Sequence, residues 1–291
     1  MTSDRTRYGA VVLYFRHGPS VINTLEALRE QTRAPISVVV VDNASGDGVL
    51  KRLKSDGRLG PEVTVHECAS NGGYSAGMNA GLQQLAQSDL DYVLFLTHEV
   101  RLAPTAAEEL LRVATVQAAA IVGPTLFLGD GTAWSRGGEL GRRGQTKHDT
   151  SFSEHDFRRA TWLDGACLLI AQDALANYGT FDESYFLYWE DVEISTRLAA
   201  SGPVLCSTRA RAEQGTNSAP IYFNTRNRLK YWRERRQWVT LLASVVEALV
   251  RMIVRDSFAP NNALRVQARA LGIVDGLRRE GEMRTLFVRD V

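Results

Sequence analysis

The first half of the chain predicts an α/β fold, a parallel sheet covered by helices, and three observations predict it. Short apolar runs alternate with segments of helical periodicity at close spacing. The runs are apolar on both faces, as strands in a helix-covered parallel sheet are. Polar clusters follow three successive runs, and ligands of such sheets bind outside the carboxyl ends of the strands.

Each element follows from its residues. Tyr8 to Phe15 (YGAVVLYF) reads as a strand. Ser20 stands where it can cap a helix whose apolar residues are Val21, Ile22, Leu25 and Leu28. Pro35 ends that passage, and Ile36 to Val41 (ISVVVV) forms a second buried strand closing on VDNASGDG. Val63 to Val65 is a third, short strand, after which Asn71-Gly72-Gly73-Tyr74 opens a helix through Leu85. Val93 to Leu96 is the next buried strand, and it stops at Thr97, His98 and Glu99. Each polar cluster alone reads equally well as a turn, because Asp, Asn, Ser and Gly dominate turns. Three of them at three successive strand ends point instead to a nucleotide site. Asp42 can accept from a base or a ribose hydroxyl. Gly72 and Gly73 let backbone approach a ligand closely, and the following helix offers amides to phosphate. Neither GxGxxG nor GxxxxGK[ST] is present, so neither a dinucleotide fold nor a P-loop is expected.

Composition narrows the class. The chain has 291 residues, 44% hydrophobic and 23% charged, which is ordinary for a globular protein. A net charge of +1 gives no global field for nucleic acid. Cys68, Cys167 and Cys206 show no metal spacing and read as reduced core residues. The N-terminus lacks the apolar core of a signal peptide, and no run of about 18 apolar residues exists to span a membrane. The expected location is cytoplasmic, with an option of peripheral attachment to the inner face of the membrane.

Phe181 to Arg197 is the densest stretch. Asp182, Glu183, Glu190, Asp191 and Glu193 lie there with Tyr185, Phe186, Tyr188 and Trp189. From Glu190 it can run as a helix, where acidic residues are favoured by the dipole. It can also supply a general base, a carboxylate placed to take a proton.

The ordered set VDNASGDG, NGGYSAGMN, VLFLTHEVRLAP, WLDGACLLI and FDESYFLYWEDVE resembles the family 2 glycosyltransferases of GT-A fold, in the style of the bacterial rhamnosyltransferase-like branch. The resemblance runs from about Tyr8 to about Tyr231. It implies a single Rossmann-like mixed sheet flanked by helices, with a C-terminal helical extension. Residues 1–230 would be the transferase domain, with a nucleotide-binding half over 1–125 and an acceptor and catalytic half over 126–230. Residues 231–291 would be the extension. The implied reaction is inverting transfer from a nucleotide-diphosphate sugar (dTDP-, UDP- or GDP-linked) to a glycan, lipid-linked or small-molecule acceptor. Asp191 falls on the family's general base, with Glu190 beside it. Asp164 matches a position near donor sugar and acceptor. Asp42 and Asn43 would bind base and ribose, and Asn71, Tyr74 and Asn79 would lie near the nucleotide or support its loop.

The same resemblance places Glu99 on the metal-binding acid, where the family usually has Asp. An oxygen ligand there suits Mg²⁺ or Mn²⁺, with His98 as an optional second ligand. A metal-associated His that the family often carries about twenty residues after the catalytic motif is missing here. Glu213 or Gln214 could substitute, or Arg209 and Arg211 could neutralise the diphosphate without metal.

Residues 226–236 (RNRLKYWRERR) carry six basic groups and one acid. Trp238 to Val254 then reads as a helix whose polar residues Thr240, Ser244, Glu247 and Arg251 form one narrow stripe. Its wide apolar face predicts packing on the domain, a homodimer contact, or a peripheral membrane contact. Two other functions compete with glycosyl transfer. A sugar-nucleotide pyrophosphorylase would need a Gly-rich loop after the first strand, and none is present. A degenerate binding module would not need the retained Asp191.

Overall fold

The computed structural model describes residues 6–215 and 220–278. In chain order the elements are β1 (Tyr8–Tyr14), α1 (Val21–Arg29), β2 (Val38–Asp42), α2 (Val49–Ser55), β3 (Val63–Glu67), α3 (Gly73–Gln84) and β4 (Tyr92–Thr97). Next come β5 (Arg101–Leu102), α4 (Ala106–Gln117), β6 (Ile121–Phe127), β7 (Ala133–Ser135), β8 (Gly138–Leu140), β9 (Thr146–His148) and β10 (Phe157–Arg159). The chain continues through β11 (Cys167–Ala171), α5 (Gln172–Tyr178), α6 (Glu190–Leu198), β12 (Val204–Glu213), α7 (Ile221–Glu234), α8 (Trp238–Arg251) and α9 (Asn262–Leu277).

The main sheet has the order β10-β12-β6-β11-β4-β1-β2-β3. β4, β1, β2 and β3 are mutually parallel. β11 enters antiparallel between β4 and β6, which makes the whole sheet mixed. Every residue of β1 is buried, and Val38 and Val40 of β2, Leu94 and Leu96 of β4 and Leu169 of β11 share one core with residues of α1 and α4. β3 is half-exposed because it is the edge strand.

Two local expectations change. Ser20 does not cap α1. It closes a 3₁₀ turn over Gly18–Ser20 with helical backbone angles, and its hydroxyl donates back to the carbonyl of His17 at 2.9 Å. β2 begins at Val38, two residues late, with Ile36 largely exposed. The three cysteines are free, with Cys167 and Cys206 buried.

The chain divides into two compact units. One comprises Met1–Glu139, His148–Phe186 and Glu190–Thr216; the other comprises Leu140–Lys147, Leu187–Trp189 and Asn217–Val291. The first contains the main sheet. The second is helical, built on α7, α8 and α9, with Leu229, Leu241, Ala248 and Ile273 at its centre. Within it Asn227 is fully buried and its amide donates to the carbonyls of Leu187 and Tyr188 at 2.9 and 2.8 Å. Those bonds hold a turn in which Tyr188 and Trp189 both take left-handed φ, 66° and 71°. Two adjacent bulky residues there are uncommon and need outside support.

Candidate active site

Because β1, β2 and β4 are parallel neighbours, their carboxyl ends emerge on one edge of the sheet. Asp42 ends β2, in register with Tyr14 of β1. One Asp42 carboxylate oxygen accepts from the Ser45 amide at 2.7 Å and closes the turn. The Tyr14 hydroxyl donates to Asp47 in the same loop at 2.5 Å.

Asn43 is buried, and its amide nitrogen donates to Asn71 at 2.9 Å and to the Gly73 carbonyl at 3.0 Å, while its oxygen accepts from Gly72 at 3.2 Å. Asn71 also accepts from the Gly73 amide at 2.9 Å. These bonds staple the loop after β2 to the loop before α3. Gly73 has φ +81°, and a Cβ there would lie 2.2 Å from the Phe186 carbonyl oxygen. That close approach lets the Tyr74 amide donate to the same carbonyl at 2.7 Å.

The two motifs NGGYSAGMN and FDESYF, a hundred residues apart, are each other's partners. Ser75 donates to the Tyr185 carbonyl at 2.7 Å. Asn79 donates to the Phe181 carbonyl and to Glu183, both at 2.9 Å, and accepts from the Phe181 amide at 3.1 Å. Rings of Tyr74 and Phe95 meet Phe181 edge-on at 5.5 and 5.1 Å. Helix α3 therefore carries the segment that leads to α6.

Asp191 lies in the first turn of α6. One of its oxygens accepts from the Val192 amide at 2.8 Å and the other from the Gly165 amide at 3.2 Å. The Gly165 carbonyl accepts from the buried Tyr74 hydroxyl at 2.6 Å, and the Leu163 amide donates to Ser195 at 3.2 Å. Asp164 is bound by the Ala166 amide at 3.0 Å and by the Trp134 indole at 3.2 Å. Burial, and then the neighbouring charge of Asp164, push the Asp191 carboxyl up to about 7. Burial and the charge of Asp191 push the Glu190 carboxyl well above the usual range, and one Glu190 oxygen is buried with no partner. Burial and like charge thus favour the neutral form of Glu190 beside Asp191, because clustered carboxylates in a dry site cannot all ionise.

At the end of β4 the Thr97 amide donates to the Ala166 carbonyl at 3.1 Å, which ties this strand end to the Asp164 loop. His98 Nδ1 lies 3.1 Å from the Leu13 carbonyl. With Nδ1–H donating there, Nε2 keeps its lone pair. Burial and the proximity of His17 lower the His98 pKa to about 4, so the ring is neutral near pH 7. His17, just past β1, packs its ring 4.5 Å from that of His98. His17, His98 and Glu99 each offer a ligand atom within 4.8 Å of the others. Two imidazoles and a carboxylate fit a divalent transition ion, Mn²⁺ better than Mg²⁺. Glu213 faces Gly129, Arg209 pairs with Asp156 at 2.7 Å, and Arg211 stacks on Phe127 at 4.0 Å. Gly215 brings backbone to the side of Glu99, where a Cβ would lie 3.5 Å from Glu99 Oε2.

The structure adds His17 and Trp134 to the residues expected from sequence. His17 carried a readable signal, a histidine just beyond a buried strand on the ligand edge. Trp134 carried none, since only pairing of β6 with β7 brings its strand to this site.

Comparison with known proteins decides the family. The model of glycosyl transferase family 2 matches residues 10–167, from β1 through the Asp164 loop. The chain belongs to glycosyl transferase family 2. The N-acetylglucosaminyl-diphospho-decaprenol L-rhamnosyltransferase of Mycobacterium tuberculosis is 28% identical over 218 residues, 66% of this chain and 70% of that one. The low-salt glycan biosynthesis hexosyltransferase Agl10 of Haloferax volcanii is 24% identical over 164 residues, 55% of this chain and 52% of its own. Among solved structures, GalNAc-T7 with UDP, GalNAc and Mn²⁺ superposes with TM-score 0.66 at 14% identity, covering 92% of this chain and 55% of that chain. S. aureus TarS superposes with TM-score 0.58 at 13% identity, covering 94% and 44%. The chain thus spans about half the length of these structures, and the likeness establishes the GT-A fold. This family 2 protein is a glycosyltransferase, and its relatives support a nucleotide-sugar donor.

Proposed function

We propose that this glycosyltransferase inverts the anomeric centre in a single displacement, with Asp191 as general base. The observation that carries this reading is the placement of Asp191. Two backbone amides orient its carboxylate, and burial and Asp164 hold its pKa near 7, where a base serves best at neutral pH. The acceptor hydroxyl oxygen bonds to the anomeric carbon as the bond from that carbon to the diphosphate oxygen breaks. Asp191 takes the hydroxyl proton, and the nucleoside diphosphate leaves. Neutral Glu190 spares Asp191 an adjacent negative charge.

Asp42 is assigned to the nucleoside. Asn43, Asn71 and Asn79 act through the loops they tie together, and Tyr74 acts through Gly165. Asp164 faces the reacting sugars. His17, His98 and Glu99 would hold a divalent metal, Mn²⁺ in preference to Mg²⁺, which when bound neutralises the leaving diphosphate. The mycobacterial relative is named for a lipid-diphosphate-linked acceptor, and a lipid-linked glycan is the acceptor class proposed here.

The test is incubation with dTDP-, UDP- and GDP-sugars, following release of nucleoside diphosphate with and without a polyprenyl-diphosphate glycan. Acceptor-stimulated release, with opposite anomeric configuration in product and donor by NMR, is the expected result. Retention of configuration would refute the single displacement. A requirement for pyrophosphate would point to a pyrophosphorylase, and binding without release to a degenerate module.

A further inference from the structure

Helix α8 leaves most of its large apolar residues exposed. The residues it buries are Leu241, Ser244 and Ala248. Two residues of its polar stripe are used inward within its own unit: Ser244 donates to the Arg143 carbonyl at 3.1 Å, and Glu247 pairs with Arg228 at 2.8 Å. Its wide apolar face stays open, with Trp238 58%, Val239 86%, Leu242 65% and Val246 51% exposed. The chain then turns through a π-helical segment, Met252–Asp256, that continues the face with Ile253 and Val254, and Phe258 follows at 85% exposure. A helix packed on a globular core presents the reverse pattern. A contiguous apolar surface of this kind marks an interaction site.

Charge selects the occupant. Between Trp238 and Leu264 the only acids are Glu247 and Asp256. Glu247 is half-buried and paired, and Asp256 is fully buried against Arg269. Arg236 is exposed at one end of the helix, and Arg251 and Arg255 are exposed at the other. A second copy laid on this face in either direction would set cations against cations, with no exposed acid between Trp238 and Leu264 to meet them. Anionic headgroups would meet them at both ends. The helix cannot span, since 14 residues rise about 21 Å and a bilayer core needs about 30 Å. No helix among the described residues is long and apolar enough to cross a membrane.

We propose that the outer face of α8, continued by Ile253, Val254 and Phe258, is a monotopic docking surface for an anionic lipid bilayer. The helix lies in the interface plane with its apolar residues among the acyl chains. Trp238 anchors at headgroup depth, and Arg236, Arg251 and Arg255 lie against the phosphates. The inference is independent of the transfer chemistry proposed above, since it can be read without catalysis.

The test is flotation of the full-length chain with phosphatidylcholine vesicles, with and without phosphatidylglycerol, beside light scattering of the lipid-free protein. Flotation is expected with the anionic vesicles. It should fall about ten-fold or more in Leu242→Asp/Val246→Asp/Val250→Asp, and several-fold in Arg251→Gln/Arg255→Gln or at high salt. Far-ultraviolet circular dichroism checks that the variants are folded. As a reading that needs no charged substitution, brominated acyl chains should quench wild-type fluorescence, and Trp238→Phe should lose most of that quenching. Wild type that stays with the soluble fraction and is not quenched would overturn the proposal. So would a wild-type dimer that the triple variant converts to monomer, which would assign the face to a second copy.

Discussion

The backbone amide of Gly165 donates to the carboxylate of Asp191 at 3.2 Å, while the carbonyl of the same residue accepts from Tyr74 at 2.6 Å. One glycine thus connects the loop before β11, the start of α3 and the start of α6. Asp191→Asn keeps the shape of the side chain and removes its basicity. Turnover should fall on the order of 10²–10⁴-fold, with donor affinity by calorimetry nearly unchanged. Wild-type turnover in this variant would remove Asp191 from the chemistry.

The pH profile tests the same residue. A base must be ionised to act, and the Asp191 carboxyl is raised to about 7. The rate should therefore fall about ten-fold per pH unit below that value. Asp164 is the second cause of the shift, after burial. Asp164→Asn should move the acid limb downward without restoring an ordinary carboxyl value, because burial remains. The measured midpoint belongs to the Asp164–Glu190–Asp191 cluster rather than to one group. For stability the sign is opposite. The folded state holds this proton longer than the unfolded one, so the contribution is present below about 3.8 and is lost as pH rises through about 7.

At the end of β4, Glu99→Gln should lower activity and weaken the response to added Mn²⁺, while Glu99→Asp keeps more of both. His98→Ala and His17→Ala should shift preference from Mn²⁺ toward Mg²⁺, since each removes a nitrogen ligand. Turnover after exhaustive EDTA treatment, with each metal added back, is the readout. Undiminished turnover in EDTA would leave the His17–His98–Glu99 cluster without a metal role.

Gly73→Ala should destabilise the fold. The position has φ +81°, and the added carbon would meet the Phe186 carbonyl at 2.2 Å. Backbone strain alone costs about 1–3 kcal/mol. Thermal denaturation would read it as a lowered Tm, and Gly131→Ala, also at φ +81° but with open space around it, is the control that lacks the clash.

Asp42→Ala should weaken nucleoside diphosphate binding more than turnover of bound donor. Calorimetry with UDP, dTDP and GDP measures this, and unchanged affinity for all three would place the base elsewhere.

Strands and helices are legible in the amino-acid sequence where periodicity is local. The apolar runs at Tyr8, Val38 and Val93 are strands in the expected parallel set because β-branched residues buried on both faces have few other stable places. The order of the polar clusters identified the family and the edge of the sheet that carries the site, because parallel strands must end together. Local pattern could not show which distant segments meet. That Asn79 docks Phe181 and Glu183, that Trp134 reaches Asp164, and that His17 joins His98 and Glu99 are consequences of strand order and register. Nor could the periodicity of Trp238 to Val254 say which face turns inward. Ser244 and Glu247 turn inward beside Leu241 and Ala248 because Arg143 and Arg228 supply the hydrogen-bond partners they need there, and a buried polar group is stable only where such partners exist.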